Sequence, residues 1–185
     1  MEWERISVQK IVLEFLLSER KTRLCQVKPH EFPAFVRTHG LNTILDKANL
    51  ESPVENHARL RLLCLIRRQL ICEIPPDTDW YRVRNLTDNE LLEMRIIGRC
   101  GLDDWADNNE VLKPRRQFTL TQAPSEWRSV ILFGHAKAGP FTIIEGNHRL
   151  IAYTSNDRRG LSIPVYVGFQ QRHSSLTPWI MLVRS

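Results

Sequence analysis

One stretch restricts the fold more than any other: Phe141-Thr-Ile-Ile-Glu145-Gly-Asn-His-Arg149-Leu-Ile-Ala-Tyr153. Apolar and β-branched residues lead into a glycine, and a fresh apolar pattern begins at Leu150, Ile151 and Tyr153. That order predicts a buried strand, a tight turn at Gly146, and a helix whose first turn carries His148 and Arg149. The carboxylate of Glu145 closes the strand, while an imidazole and a guanidinium open the helix. All three converge where free backbone N–H groups and the helix dipole already favour an anion.

A second apolar run, Leu161-Ser-Ile-Pro-Val-Tyr-Val-Gly168, follows the turn Asp157-Arg-Arg-Gly160 and predicts another strand. The helix between the two strands is short, which makes a compact strand–helix–strand unit. If both strands share one sheet and run parallel, the crossover should be right-handed. Upstream, Phe118–Thr121 alternates as a strand, and Ser125–Phe133 reads as a short helix ended by Gly134. The expected fold class is α+β with an α/β core: a small mixed sheet holding this unit, preceded by an N-terminal helical region.

In that region, residues 6 to 17 carry Ile6, Val8, Ile11, Val12, Phe15 and Leu16 and read as a helix, although their β-branched content leaves a strand open. Pro29 and Pro33 limit Phe32–Thr38 to a short helix stopping at His39-Gly40, and a further helical turn covers Asn42–Ala48. The best-marked helix starts at Ser52, an N-cap followed by Pro53 and by Glu55 in a Ser-x-x-Glu capping box. It continues through Leu60, Leu63, Ile66 and Ile71, with Arg59, Arg61, Arg67 and Arg68 among them, which could line a groove for an anion but are more commonly expected on the wet side of a core helix. Pro75-Pro76-Asp77 then breaks the chain. Residues 1–78 are therefore expected as a helical region packing on an α/β domain of residues 79–185, which opens with a strand at Trp80–Val83. Thr87-Asp-Asn-Glu90 is a second capping box and opens a helix through Ile97.

A chain of 185 residues with 42% hydrophobic and 25% charged residues suits a globular protein with one ordinary core. No apolar run approaches the ~20 residues that span a bilayer. The start, Met1-Glu-Trp-Glu-Arg5, is not followed by a small-residue cleavage site, so a cytoplasmic location without membrane attachment is expected. Most of the 26 basic residues behind the net charge of +5 are arginine, which suits phosphate or carboxylate and equally reflects ordinary surface charge. They occur in pairs rather than tracts, which gives little support to a nucleic-acid partner. Cys25, Cys64, Cys72 and Cys100 have no C-x-x-C spacing and are expected as buried reduced thiols. In Gly101–Asn109, Asp103, Asp104 and Asp107 could hold Mg²⁺, or could cap helices and make Asx turns.

The run Ile144-Glu-Gly-Asn-His-Arg-Leu-Ile-Ala152, followed by Ile163-Pro-Val-Tyr-Val167, resembles the ParB/sulfiredoxin superfamily. Its members carry a strand, an Asp- or Glu-led Gly-x-His-Arg turn, a helix, and a strand often beginning Ile-Pro-Val. The resemblance covers residues 118 to 168. It implies a small α/β domain that binds a nucleotide, ATP, ADP or CTP, with the His-Arg turn on the phosphates. Members include CTP-dependent DNA-partitioning clamps, ATP-dependent sulfinic acid reductases, an ADP-dependent serine kinase and ParB-like nucleases. The reductases place a cysteine directly before His-Arg, where this chain has Asn147, so sulfinic acid reduction is not expected. The stretch after Arg149 leaves little room for the helix-turn-helix reader of the clamps.

In that reading Arg149 grips phosphate oxygens by bidentate bonds, and Gly146, Asn147 and His148 supply further donors. Glu145 acts as general base toward a hydroxyl or water, with His148 beside it, or binds a Mg²⁺ that bridges phosphates. The expected activity is a Mg²⁺-dependent nucleotide triphosphate hydrolase or a phosphotransferase with a small-molecule phosphate acceptor. The alternatives are a non-catalytic module responsive to nucleotide or nucleic acid, and a ParB-like nuclease. A purely structural arrangement would pair Glu145 with Arg149 across the turn and leave His148 to cap or pack.

Overall fold

Val130-Ile-Leu-Phe and Val165-Tyr-Val are apolar runs without polar alternation, the pattern of strands covered on both faces. The computed structural model describes residues 2–75, 77–84, 128–134, 141–146 and 164–170, leaving out the side chains of residues 72 and 73. Among these residues five strands form one mixed sheet: β1 (Glu2–Ile6), β2 (Asp79–Arg84), β3 (Val130–Gly134), β4 (Phe141–Glu145) and β5 (Val165–Phe169). Their order is β1-β2-β5-β3-β4. The neighbours β3 and β5 run parallel, every residue of both is buried, and all other pairings are antiparallel. Together with four α-helices this makes the chain α+β with a mixed sheet, the class its sequence predicts.

Two local expectations fail for identifiable reasons. The predicted helix Ser125–Phe133 is wrong over its second half, because Val130–Gly134 is the strand β3. A short apolar run has no period of its own, and its two buried neighbours decide its conformation. The two strands of the expected strand–helix–strand unit, β4 and β5, do share the sheet. They are antiparallel to one another, however, with β3 between them, so the handedness rule for parallel crossovers does not apply. Ile6, read as part of a helix, instead pairs with Trp80 at the end of β1. The strand expected at Phe118–Thr121, the helix opened at Thr87-Asp-Asn-Glu90, the helix following Gly146 and Cys100 lie outside the described residues.

Side chains lock the sheet on each face. On one face Trp80 is 1% exposed and lies across Gly168, where an added Cβ would stand 2.7 Å from the ring and 2.7 Å from the Thr78 methyl group. On the other, Gly134 pairs with both Phe141 and Phe169, and their rings meet over it at 5.9 Å. Trp3 on β1 joins them, 5.3 Å from Phe169 and 6.3 Å from Phe141. Contact between rings on the two edge strands requires a curled sheet, the ordinary consequence of strand twist.

The strands and residues 7–75 fall in separate compact units. In the second, α1 (Val8–Glu19) starts at Ser7, whose hydroxyl accepts the Lys10 N–H at 3.3 Å. The short helices α2 (Ala34–His39) and α3 (Leu41–Leu45) meet at Gly40, whose φ of +83° ends the first and starts the second. α4 (Pro53–Glu73) packs against α1, α2 and α3. Ile11, Phe15, Leu16, Ile44, Leu62, Leu63 and Ile71 are fully buried.

The capping box at Ser52 is half formed. Ser52 Oγ accepts the Glu55 N–H at 3.3 Å, but the Glu55 carboxylate accepts from Asn49 N–H at 2.9 Å and from Arg59 at 3.0 Å instead of returning to Ser52. The Ser52 N–H donates to the Asn49 carbonyl, so that donor is already engaged. The arginines expected on the wet side of α4 also divide. Arg61 and Arg68 are exposed, Arg59 is fully buried, and Arg67, where α4 bends (φ −138°, ψ 35°), is paired with the buried Glu19. Cys25 is exposed rather than buried, on a 3₁₀ turn where its thiol donates to the Thr22 carbonyl. Cys64 is half-buried, and neither of these two cysteines forms a disulfide.

No helix among the described residues is long and apolar enough to cross a membrane.

Candidate functional site

The hairpin partners β3 and β4 pair in regular register from Gly134↔Phe141 to Leu132↔Ile143. The next pair is Ile131↔Glu145, so Ile144 is an extra residue in β4 and the ladder bulges beside it. Without the bulge, alternation would put Glu145 on the face of Phe141 and Ile143. The shift brings it opposite Ile131. Ile143 and Ile144 are both buried, whereas Glu145 is half-buried at the strand's end.

Gly146 follows at once, buried and with φ of +94°. This is the left-handed region that side chains with a Cβ avoid. Gly146 thus has the positive φ that the expected glycine turn needs, directly after a bulged strand end; the residues that would complete the turn lie outside the described residues. Replacing Gly146 with alanine is expected to lower stability by about 1–2 kcal/mol through the positive φ alone. Thermal unfolding of the variant checks this, and an unchanged midpoint would mean that the turn relaxes.

Glu145 and Gly146 are the predicted site residues that the structure describes. Asn147, His148 and Arg149 lie outside the described residues, as do Asp103, Asp104 and Asp107. Among the described residues no three His, Cys, Asp or Glu side chains gather as a metal site. Mg²⁺ does not require such a cluster, since it retains waters and takes substrate phosphates alongside one or two carboxylates. A half-buried carboxylate at a strand end fits that demand. The bulge at Ile144 has no signature in the residues of β4, because an extra residue in a strand is defined only by its partner.

No family model, curated protein or solved structure matches this chain.

Proposed function

We propose that the turn Glu145-Gly146-Asn147-His148-Arg149 binds the phosphates of a nucleotide, as the resemblance to ParB/sulfiredoxin domains implies. The observation that supports it is the backbone at Gly146: a buried glycine at φ +94° directly after the bulged end of β4. A glycine there lets an anion approach the main chain closely, and successive N–H groups in such a turn form a concave donor site. Arg149 supplies the bidentate cationic contact, and His148 with the Asn147 backbone supplies further donors.

Glu145 gives the same site a base. Half-buried at the head of the turn, it takes a proton from an attacking water or from the hydroxyl of a small-molecule acceptor, which makes the protein a nucleotide triphosphate hydrolase or phosphotransferase. The alternative role for the same carboxylate is to hold a Mg²⁺ that would neutralise phosphate charge, in place of acting as the base. Asn147 carries no thiol, so this reading excludes sulfinyl transfer at that position.

The test is calorimetric titration of ATP, ADP, CTP and GTP with Mg²⁺, followed by an assay for released phosphate. One nucleotide should bind, and Arg149→Ala should weaken it roughly a hundredfold, the loss of two charge-assisted hydrogen bonds. Glu145→Gln should preserve binding and abolish turnover. Binding without any turnover would replace the enzyme with a nucleotide-responsive module. Binding of single-stranded or duplex DNA that falls steeply with salt, with cleavage, would favour a nuclease. Failure to bind any nucleotide would overturn the proposal.

A further inference from the structure

The helical unit carries a second feature, independent of the turn at Gly146. One stripe of α4 turns away from its core: Arg61, Cys64, Leu65 and Arg68, the i, i+3, i+4, i+7 positions of a single face. With the segment from His30 to Arg37 this stripe encloses an open groove of about 560 Å³. Leu65 is 47% exposed, one of two large hydrophobic side chains left exposed among the described residues. Phe32, Pro33 and Ala34 form the facing wall.

The charge around this apolar strip is unbalanced. Arg37, Arg61 and Arg68 all line the groove, and among the described residues none of them pairs with a carboxylate. Arg37 makes only a long bond of 3.4 Å to the His30 carbonyl. Elsewhere in the same unit arginines are satisfied: Arg20 by Asp46, Arg23 and Arg67 by Glu19, and Arg59 by Glu55. Glu31 is the one acid lining the groove, and its carboxylate accepts the Lys28 N–H.

We infer that this groove docks an acidic peptide segment of a partner protein, with an aliphatic or aromatic side chain seated on Leu65 between carboxylates that pair with Arg61 and Arg68. Arg61 and Arg68 both line the groove, with Leu65 between them in the chain. An apolar centre ringed by arginine is the anatomy of a protein-docking patch. A nucleotide fits less well, because Phe32 is the one aromatic ring besides histidine in the lining.

The test uses a displayed random-peptide library on the intact chain, followed by titration of the best synthetic peptide. Acidic peptides with a central apolar residue should be enriched. Arg61→Glu/Arg68→Glu should weaken the selected peptide tenfold or more, and affinity should fall as salt is raised. Both arginines are exposed and without ion pairs among the described residues, so the variant's unfolding midpoint should not move. Saturating peptide should slow alkylation of Cys64, in the groove wall, without slowing that of the exposed Cys25. No enrichment, enrichment of non-acidic peptides, affinity indifferent to the charge reversal, or unprotected Cys64 would each overturn the inference. So would an Arg61- and Arg68-dependent site for ATP or inorganic phosphate that excludes the peptide.

Discussion

Replacing Arg59 with alanine is expected to destabilise the helical unit by about 3–5 kcal/mol, the range for breaking a buried ion pair from one side. Arg59 has no exposed surface, and its guanidinium joins three pieces of chain. Nη1 donates to the Ile44 carbonyl at the end of α3 (2.9 Å) and to Glu55 (3.0 Å). Nη2 donates to the Asn49 carbonyl in the connection (2.7 Å) and to Asn56 Oδ1 (2.6 Å). Burial pulls the guanidinium below its ordinary range, and the Glu55 hydrogen bond and charge oppose that shift. The group still carries its proton at any working pH.

Alanine would take the guanidinium from the Ile44 carbonyl and Asn56 Oδ1, and would leave the Asn49 carbonyl and the Glu55 carboxylate with only the Ser52 and Asn49 N–H groups as donors. Arg59→Lys should recover part of the loss at most, since an ammonium cannot span the same four acceptors as a planar fork. The decisive measurement is a double-mutant cycle with Glu55→Ala, read by hydrogen exchange of the α4 amides. The two substitutions should cost less together than the sum of each alone, by about 1–3 kcal/mol. Additive losses would mean that Arg59 acts through packing and not through this network.

The contrast between Arg59 and Ser52 shows where sequence is informative. The N-cap of α4 is legible because a serine, a proline and an acid within four positions act on the nearest backbone. The role of Arg59 is illegible, because the Ile44 and Asn49 carbonyls become its neighbours only after α3 and its connection have folded. β3 is hidden for the same reason: Val130–Phe133 has strand-compatible residues but takes its conformation from β4 and β5. β1 is the extreme case, a charged edge strand, Glu2-Trp-Glu-Arg-Ile6, whose register is set by β2 far along the chain. In the candidate site, Glu145 ending a strand and Gly146 at positive φ are both readable, since strand ends and positive φ are written in residue type. The bulge before them is not.

The second large effect concerns Trp80, and it comes with an internal control. Trp80→Ala should cost about 3–5 kcal/mol, the usual range for emptying a buried aromatic site. Gly168→Ala should cost about 1–3 kcal/mol for the opposite reason, overpacking. Its new methyl would stand 2.7 Å from Trp80 Cζ3, 2.8 Å from Trp80 Cη2 and 2.7 Å from the Thr78 methyl. A ring that is 1% exposed, on a strand paired along its length with β5, has nowhere to retreat. In the double variant the alanine at 168 enters space the indole has left, so only the Thr78 contact still resists it. The combined loss should therefore fall below the sum of the single losses by about 1–2 kcal/mol. Denaturant unfolding followed by far-UV circular dichroism measures all three. Strict additivity would show that Gly168 is required for something other than room for the Trp80 ring. The packing of β2 on β5, and with it the frame that carries β3 and β4 to the Gly146 turn, would then need a different explanation.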